Sequence, residues 1–239
     1  MRPLLYNSPM NHGCIELNWA ACPQWATSAS ADLVDAVERV GGGWTVLLID
    51  VQGSGSGGRR LAGALMHFAR QQVAAGVDPV TAVSSVHQHL VALRQGKVGA
   101  SVHVCALNGE GTHISVVGFG ALEFARRESD GWSLDEFRST PAGFADGSPP
   151  SGLTSELCPG DQVVLANDGI AHSTGELNAL LGDGALPAGA ILDAAIRRDG
   201  GRPRADMAVV TLQRTTTAEQ QQVLTARVSI PVRPKWSDR

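Results

Sequence analysis

Residues 100–139 read ASVHVCALNGEGTHISVVGFGALEFARRESDGWSLDEFRS, a run of short alternating segments with Asn108-Gly109 and Asp130-Gly131 between them. Alternation of period two predicts strands, and these dipeptides predict hairpin turns. The stretch therefore predicts an antiparallel meander. It rules against a doubly wound parallel fold, where strands and helices alternate throughout the chain.

The flanking segments add helices and further strands. Residues 14–20 alternate and predict a strand; 32–40, DLVDAVERV, fit helix or strand. Gly41-Gly42-Gly43 then leads into WTVLLIDV at 44–51, and three glycines between two runs favour a hairpin and hence a strand for 32–40. RRLAGALMHFARQQVAAG, 59–76, carries Leu61, Leu65, Phe68 and Val73 at helical spacing. Asp78-Pro79 caps and starts a second helix, PVTAVSSVHQHLVALR. After the meander comes a Pro-, Gly- and Ser-rich loop at 140–152. A buried strand, DQVVLANDGI, follows Pro159-Gly160; then come a helix near 191–198, a strand at 204–214 and a further strand at QVLTARVSIPV.

Composition narrows the class. The 239 residues are 43% hydrophobic, enough for a sizeable core. A net charge of -4, with Lys and Arg scattered, argues against nucleic-acid binding. MRPLLYNSPM lacks the apolar centre of a signal peptide, and no stretch approaches the roughly 20 apolar residues of a membrane span. The four cysteines, Cys14, Cys22, Cys105 and Cys158, form no CxxC pair and read as reduced thiols. A cytoplasmic protein of one domain is expected over 1–239, with its core at about 14–213 and a strand or tail after 214.

Gly53, Gly55 and Gly58 spell G-x-G-x-x-G between a strand and a helix, the local context of a dinucleotide-binding loop. The meander opposes that reading. So does the lack of an acidic residue ending a second strand, since Asp78 caps a helix. So does Asp50, whose carboxylate would repel a pyrophosphate. Aspartates at strand ends explain the stretch better. LLIDVQG and VVLANDG each end an apolar run in an aspartate and a glycine loop, Asp206 begins DMAVVTL, and Asp32 begins the strand paired with 44–51. Such carboxylates converging on one sheet edge make an oxygen-only site suited to Mg²⁺ or Mn²⁺. Gly53, Gly55 and Gly169 would shape the loops around it.

The order Ser30-Ala31-Asp32, Ile49-Asp50-Val51-Gln52-Gly53-Ser54-Gly55, Asn167-Asp168-Gly169 and Ala205-Asp206-Met207-Ala208 resembles the SpoIIE-like branch of the PPM (type 2C) protein serine/threonine phosphatases. Asp32 and Asp50 stand 18 positions apart, as in that branch, and the likeness runs over roughly 30–213. It implies an α+β fold, an αββα sandwich of two antiparallel sheets covered by helices on their outer faces. It implies two Mn²⁺ or Mg²⁺ ions, with Asp50 bridging, the Val51 carbonyl on one ion, and Asp32, Asp168 and a carboxylate at 205–206 completing the shells. Asp32, Asp50 and Asp168 would be catalytic in that they hold the ions that activate water for in-line attack on phosphorus. The substrate implied is a phosphoserine or phosphothreonine on a bacterial regulatory protein, such as an antagonist of an anti-sigma factor. Within the branch the chain resembles the RsbX group, which implies a stand-alone, feedback-type phosphatase.

The chain departs from the branch at named positions. Ala205 stands where the first ligand of the closing motif usually is, leaving Asp206 as the available carboxylate. Ser54 replaces a His or Lys, Ala31 a Gly and Asn167 a Thr. An enzyme with one weakened ion follows. The alternative is a degenerate phosphatase fold that binds phosphoprotein partners without turnover. His87 and His89, two apart on a helix, read as packing or surface residues, His172 as a residue at a helix start, and Arg59 and Arg60 as solvated.

Overall fold

The computed structural model describes residues 15–27, 29–40, 42–53, 55–144 and 148–215. The order is β1 (Ile15–Cys22), β2 (Asp32–Glu38), β3 (Trp44–Val51), α1 (Gly55–Ala74), α2 (Pro79–Arg94), β4 (Ala100–Leu107), β5 (His113–Phe119), β6 (Ala121–Glu128), β7 (Gly131–Arg138), β8 (Ser151–Glu156), β9 (Gln162–Ala166), α3 (Thr174–Leu181), α4 (Ala188–Arg198) and β10 (Met207–Arg214). Two five-stranded sheets form, β1-β10-β9-β6-β7 and β2-β3-β4-β5-β8, and every pairing is antiparallel.

Side-chain alternation builds the layers. On β3, Leu47, Ile49 and Val51 pack with Leu65 of α1 and Leu90 of α2, while Val46 and Leu48 face the other sheet with Phe124, Leu165 and Val210. β3 is thus buried on both faces, which explains its near-continuous apolar run. A third apolar cluster joins Val164, Ala166 and Val209 to Leu177 of α3 and Ile191 of α4 on the outer face of the first sheet. Helices, two facing sheets and helices therefore stack as the α+β sandwich anticipated from the sequence.

The expected meander is corrected in one respect. β4–β5 and β6–β7 are hairpin neighbours, but β5 and β6 lie in different sheets. The chain crosses between sheets at Gly120, whose φ is +88° and where a Cβ would stand 2.4 Å from Ser101 Oγ. Only glycine meets both demands. β8 falls partly in the expected 140–152 loop, and α3 begins at Thr174, just after His172, where a helix start was expected. Asp78 caps α2 as expected, its Oδ1 accepting from Thr81 N at 3.0 Å. His87 stacks on Phe119 and His89 on Phe68, both packing roles. Cys22, Cys105 and Cys158 are free thiols. Cys14, Ser54 and the expected strand at QVLTARVSIPV lie outside the described residues. Among the described residues no helix is long and apolar enough to cross a membrane.

Candidate active site

The β2–β3 hairpin places Asp32 directly opposite Asp50, and β4 places Ser101 on the other side of Asp50. Asp32 shares strand parity with Val34 and Ala36, and Asp50 with Val46 and Leu48, so both carboxylates point between the sheets. They stand at the end of that layer where α1 begins. The glycine loop between β3 and α1 turns through left-handed conformations at Gly53 (φ +112°) and Gly55 (φ +76°). At Gly58 the constraint is contact, since a Cβ there would meet the Gly53 carbonyl oxygen at 2.6 Å.

Asp32 is 3% exposed. Its Oδ2 accepts from Asn167 Nδ2 at 2.6 Å, and its backbone N donates to Ser30 Oγ at 2.9 Å. Its Oδ1 is buried without a partner. Burial first, then the negative charges of Asp50, Asp206 and Asp168, push the Asp32 carboxyl up to about 10. Burial also raises Asp50, reinforced by Asp168 and Asp206 and opposed by a hydrogen bond with Asp32. Two carboxyls this close cannot both ionise unless a cation joins them.

Asn167 is the hub. Besides Asp32 it donates to the Asp206 carbonyl at 3.0 Å, and its Oδ1 accepts from Ala208 N at 3.0 Å. Asp206 spends both carboxylate oxygens on the loop leading into β2: Oδ1 accepts from Gln24 N at 2.7 Å and Oδ2 from Ala31 N at 2.6 Å. Gly169 lies so near that a Cβ on it would sit 1.9 Å from the Asp206 carbonyl oxygen. Asp168 is exposed on the loop after β9. Two arginines hold that loop: Arg198 donates to the carbonyls of Ile170 at 2.6 Å and Gly169 at 3.3 Å, and Arg138 to that of His172 at 3.2 Å.

The structure thus brings Asp32 and Asp50 face to face, with Asp168 and Asp206 near enough for their charges to act on both. Ala205 lines a separate surface cavity of about 190 Å³ with Gly169, His172, Glu176, Arg198, Asp199 and Arg204. His172 is exposed just before α3, whose N-cap is Ser173. Arg59 is not simply solvated, since its guanidinium donates to the Ser30 carbonyl at 3.3 Å. The supporting residues Arg138 and Arg198 were missed, since each acts through a contact distant in sequence; the supporting role of Ser30, two positions from Asp32, carried no signal of its own in the motif. The linking role of Asn167 also exceeded the simple Thr replacement read from the motif.

Among the described residues no group of three His, Cys, Asp or Glu side chains is arranged to hold a metal ion. The buried, unpartnered Oδ1 of Asp32 beside a second carboxyl is nevertheless what a hard cation would satisfy. The residues fit one such ion on the Asp32–Asp50 pair. They offer less for a second, with alanine at 205 and both Asp206 oxygens engaged by backbone N–H groups.

Facing antiparallel sheets with helices outside and aspartates at one end of the cleft define the PP2C-like phosphatase fold. Residues 40–215 match the family model of stage II sporulation protein E, SpoIIE, and the chain belongs to that family, with a PPM-type phosphatase domain. The PP2C phosphatase domain of SpoIIE from Bacillus subtilis, solved with a fragment of its regulatory domain, superposes with a TM-score of 0.76 at 14% identity over 87% of this chain. This chain spans 64% of that one. A serine/threonine phosphatase of S. agalactiae matches with a TM-score of 0.69 at 13% identity, covering 83% of this chain and 99% of that one. RsbX, solved in complex with magnesium, matches with a TM-score of 0.65 at 14% identity, covering 82% and 94%. At such identities the likeness carries the fold. No curated protein matches the chain.

Proposed function

We propose that this protein is a metal-dependent phosphatase for phosphoserine or phosphothreonine on a bacterial regulatory protein, of the kind that antagonises an anti-sigma factor. The observation that carries the reading is the Asp32–Asp50 pair, face to face on neighbouring strands, with Asp32 buried and its Oδ1 without a partner. Family membership and the fold neighbours support it, and the RsbX structure with magnesium supports the choice of Mg²⁺ or Mn²⁺.

Asp50 and Asp32 would hold the ion, joined by the Val51 carbonyl and by Asp168. When bound, the cation polarises phosphoryl oxygens and makes water nucleophilic near neutral pH. The chain's own residues supply the placement. Asn167 fixes the rotamer of Asp32 and ties it to the start of β10. Asp206 straps the 24–31 loop so that β2 enters the sheet with Asp32 opposite Asp50. Arg198 and Arg138 hold the loop that presents Asp168. A second ion would compete with the Gln24 and Ala31 backbone N–H groups for Asp206 and would bind weakly.

Hydrolysis of p-nitrophenyl phosphate and of a phosphoserine peptide, with and without Mn²⁺, tests the reading. Mn²⁺-dependent turnover of both is expected. No turnover by the folded protein at millimolar Mn²⁺ would favour a binding role on the same fold. The ion count is tested by Ala205→Asp in calorimetric Mn²⁺ titration. The variant should gain a second site with affinity improved by about 10-fold or more, the scale on which supporting groups tune metal sites. An unchanged isotherm would show that position 205 does not reach the ions.

A further inference from the structure

β3 lies between β2 and β4, and its residues offer their backbone groups to the two neighbours in turn. At the closed end of the β2–β3 hairpin, Arg39 N donates to the Gly43 carbonyl at 3.0 Å. From there, bonded pairs recur at every second residue, and the register runs unbroken to Asp32 opposite Asp50. The next bonded pair in that register is Ala31 with Val51, the Ala31 N–H going to the Val51 carbonyl. The β4 side agrees. Gln52 N donates to the Gly99 carbonyl at 3.0 Å, which leaves Val51, one residue back, turned toward β2.

The ladder's donor is diverted. Ala31 N donates at 2.6 Å to Asp206 Oδ2 instead. A carboxylate is a stronger acceptor than a backbone carbonyl, and this one is pinned in place. Its Oδ1 accepts from Gln24 N, and the Asp206 backbone carbonyl accepts from Asn167 Nδ2 and is packed against Gly169. The other edge of β3 ends in a similar way. Gly99 N donates at 3.1 Å to Gln52 Oε1, a side-chain oxygen standing where the ladder would use the Gln52 carbonyl. Just past Asp50, β3 thus gives up both neighbours to side-chain acceptors, and the chain leaves the sheet at Gly53. We propose that Asp206 is a positioning residue rather than a metal ligand: by holding the Ala31 N–H, it keeps the Val51 carbonyl out of the β2–β3 ladder and open to a divalent cation at the Asp32–Asp50 pair. A carbonyl bonded in a ladder has one of its two lone pairs committed, and its direction is fixed by the neighbouring strand. The side chain at 206 therefore acts on the site through Ala31, two positions removed from contact with any ion. This inference rests on the cation site of the proposed function and is independent of turnover.

The test compares the full-length wild type with Asp206→Ala and with Asp206→Ala combined with Ala31→Pro. In a metal-free crystal structure of Asp206→Ala, Ala31 N should close the ladder on the Val51 carbonyl at about 2.9 Å. Calorimetric Mn²⁺ titration of that variant should show binding weakened by about 10-fold, as for loss of a supporting group. Proline has no backbone N–H, so the double variant cannot cover the Val51 carbonyl in this way and should recover most of the wild-type affinity. Removal of a true ligand at 206 would not be repaired by a change at 31. A double variant as weak as Asp206→Ala, or Asp206→Ala with wild-type affinity, would overturn the proposal. Should the double variant fail to fold, the Asp206→Ala structure decides, and an Ala31 N–H that does not reach the Val51 carbonyl overturns it. A wild type that binds no Mn²⁺ would overturn both this inference and the cation site. Mn²⁺ binding that follows the expected order in the variants, without hydrolysis of any phosphoester, would overturn the phosphatase reading and support this one.

Discussion

Asp50→Asn is expected to lower Mn²⁺-dependent hydrolysis by on the order of 10³-fold while leaving the fold intact. The substitution keeps the shape of the side chain and removes its charge. Metal stabilisation of transition-state charge amounts to several kcal/mol, and each 1.36 kcal/mol is a factor of about ten in rate. Asp50 is the residue whose loss reaches furthest, because it faces Asp32 across the β2–β3 ladder and lies level with Ser101 on β4. The same change removes a negative charge that raises Asp32. Metal-free Asp50→Asn should therefore melt higher than the metal-free wild type near pH 8, although its activity is lost. Steady-state kinetics with Mn²⁺ and melting curves in EDTA read the two effects from one preparation. Retained turnover would move the chemistry away from this pair. Lost turnover with unchanged metal-free melting would mean that the two carboxyls do not burden the native state.

Much of this site was legible because hairpin geometry is local. Three glycines between DLVDAVERV and WTVLLIDV predict a tight connection, and in the structure Glu38 pairs with Trp44 and Asp32 with Asp50. The register carries the strand-end aspartates to one another without any tertiary information. The strand after Pro159-Gly160 was equally plain, since β9 is buried along its whole length. Sheet membership was not. Nothing local to VVGFGALEF says that the chain changes sheet at Gly120, because the reason is the close passage of Ser101, 19 positions earlier. β8 is an edge strand whose residues alternate between exposed and half-buried, so SGLTSE carries too little apolar signal to stand out from the loop before it. His103 is one polar letter in an apolar strand. Its burial between the sheets, opposite Leu48 on β3, follows from the facing of two sheets, which no pattern along the chain encodes.

The second large effect is on stability. In EDTA the wild type is expected to lose stability steadily as pH rises from about 5 to 9, by about 1.4 kcal/mol per pH unit for each proton that only the folded state holds. The sign follows from Asp32. In the unfolded chain it ionises near its usual 3.8, while the folded protein keeps it protonated up to about 10. Between those values the native state holds a proton that the unfolded state has released, so raising the pH favours unfolding. The contribution is fully present below the unfolded value and fades as pH climbs toward the folded one. Asp50, raised for the same reasons, acts in the same direction. Asp32→Asn removes the titrating group yet keeps a side-chain oxygen to accept from Asn167, so its slope should be markedly shallower and its metal-free stability near pH 8 higher than wild type. Mn²⁺ should abolish or invert the wild-type slope, because metal binding requires the deprotonated carboxylates that the metal-free fold disfavours. Urea unfolding at several pH values, with EDTA or Mn²⁺, separates the cases. A variant slope equal to wild type in EDTA would show that Asp32 does not hold the proton, and a wild-type slope unaffected by Mn²⁺ would show that no cation replaces it.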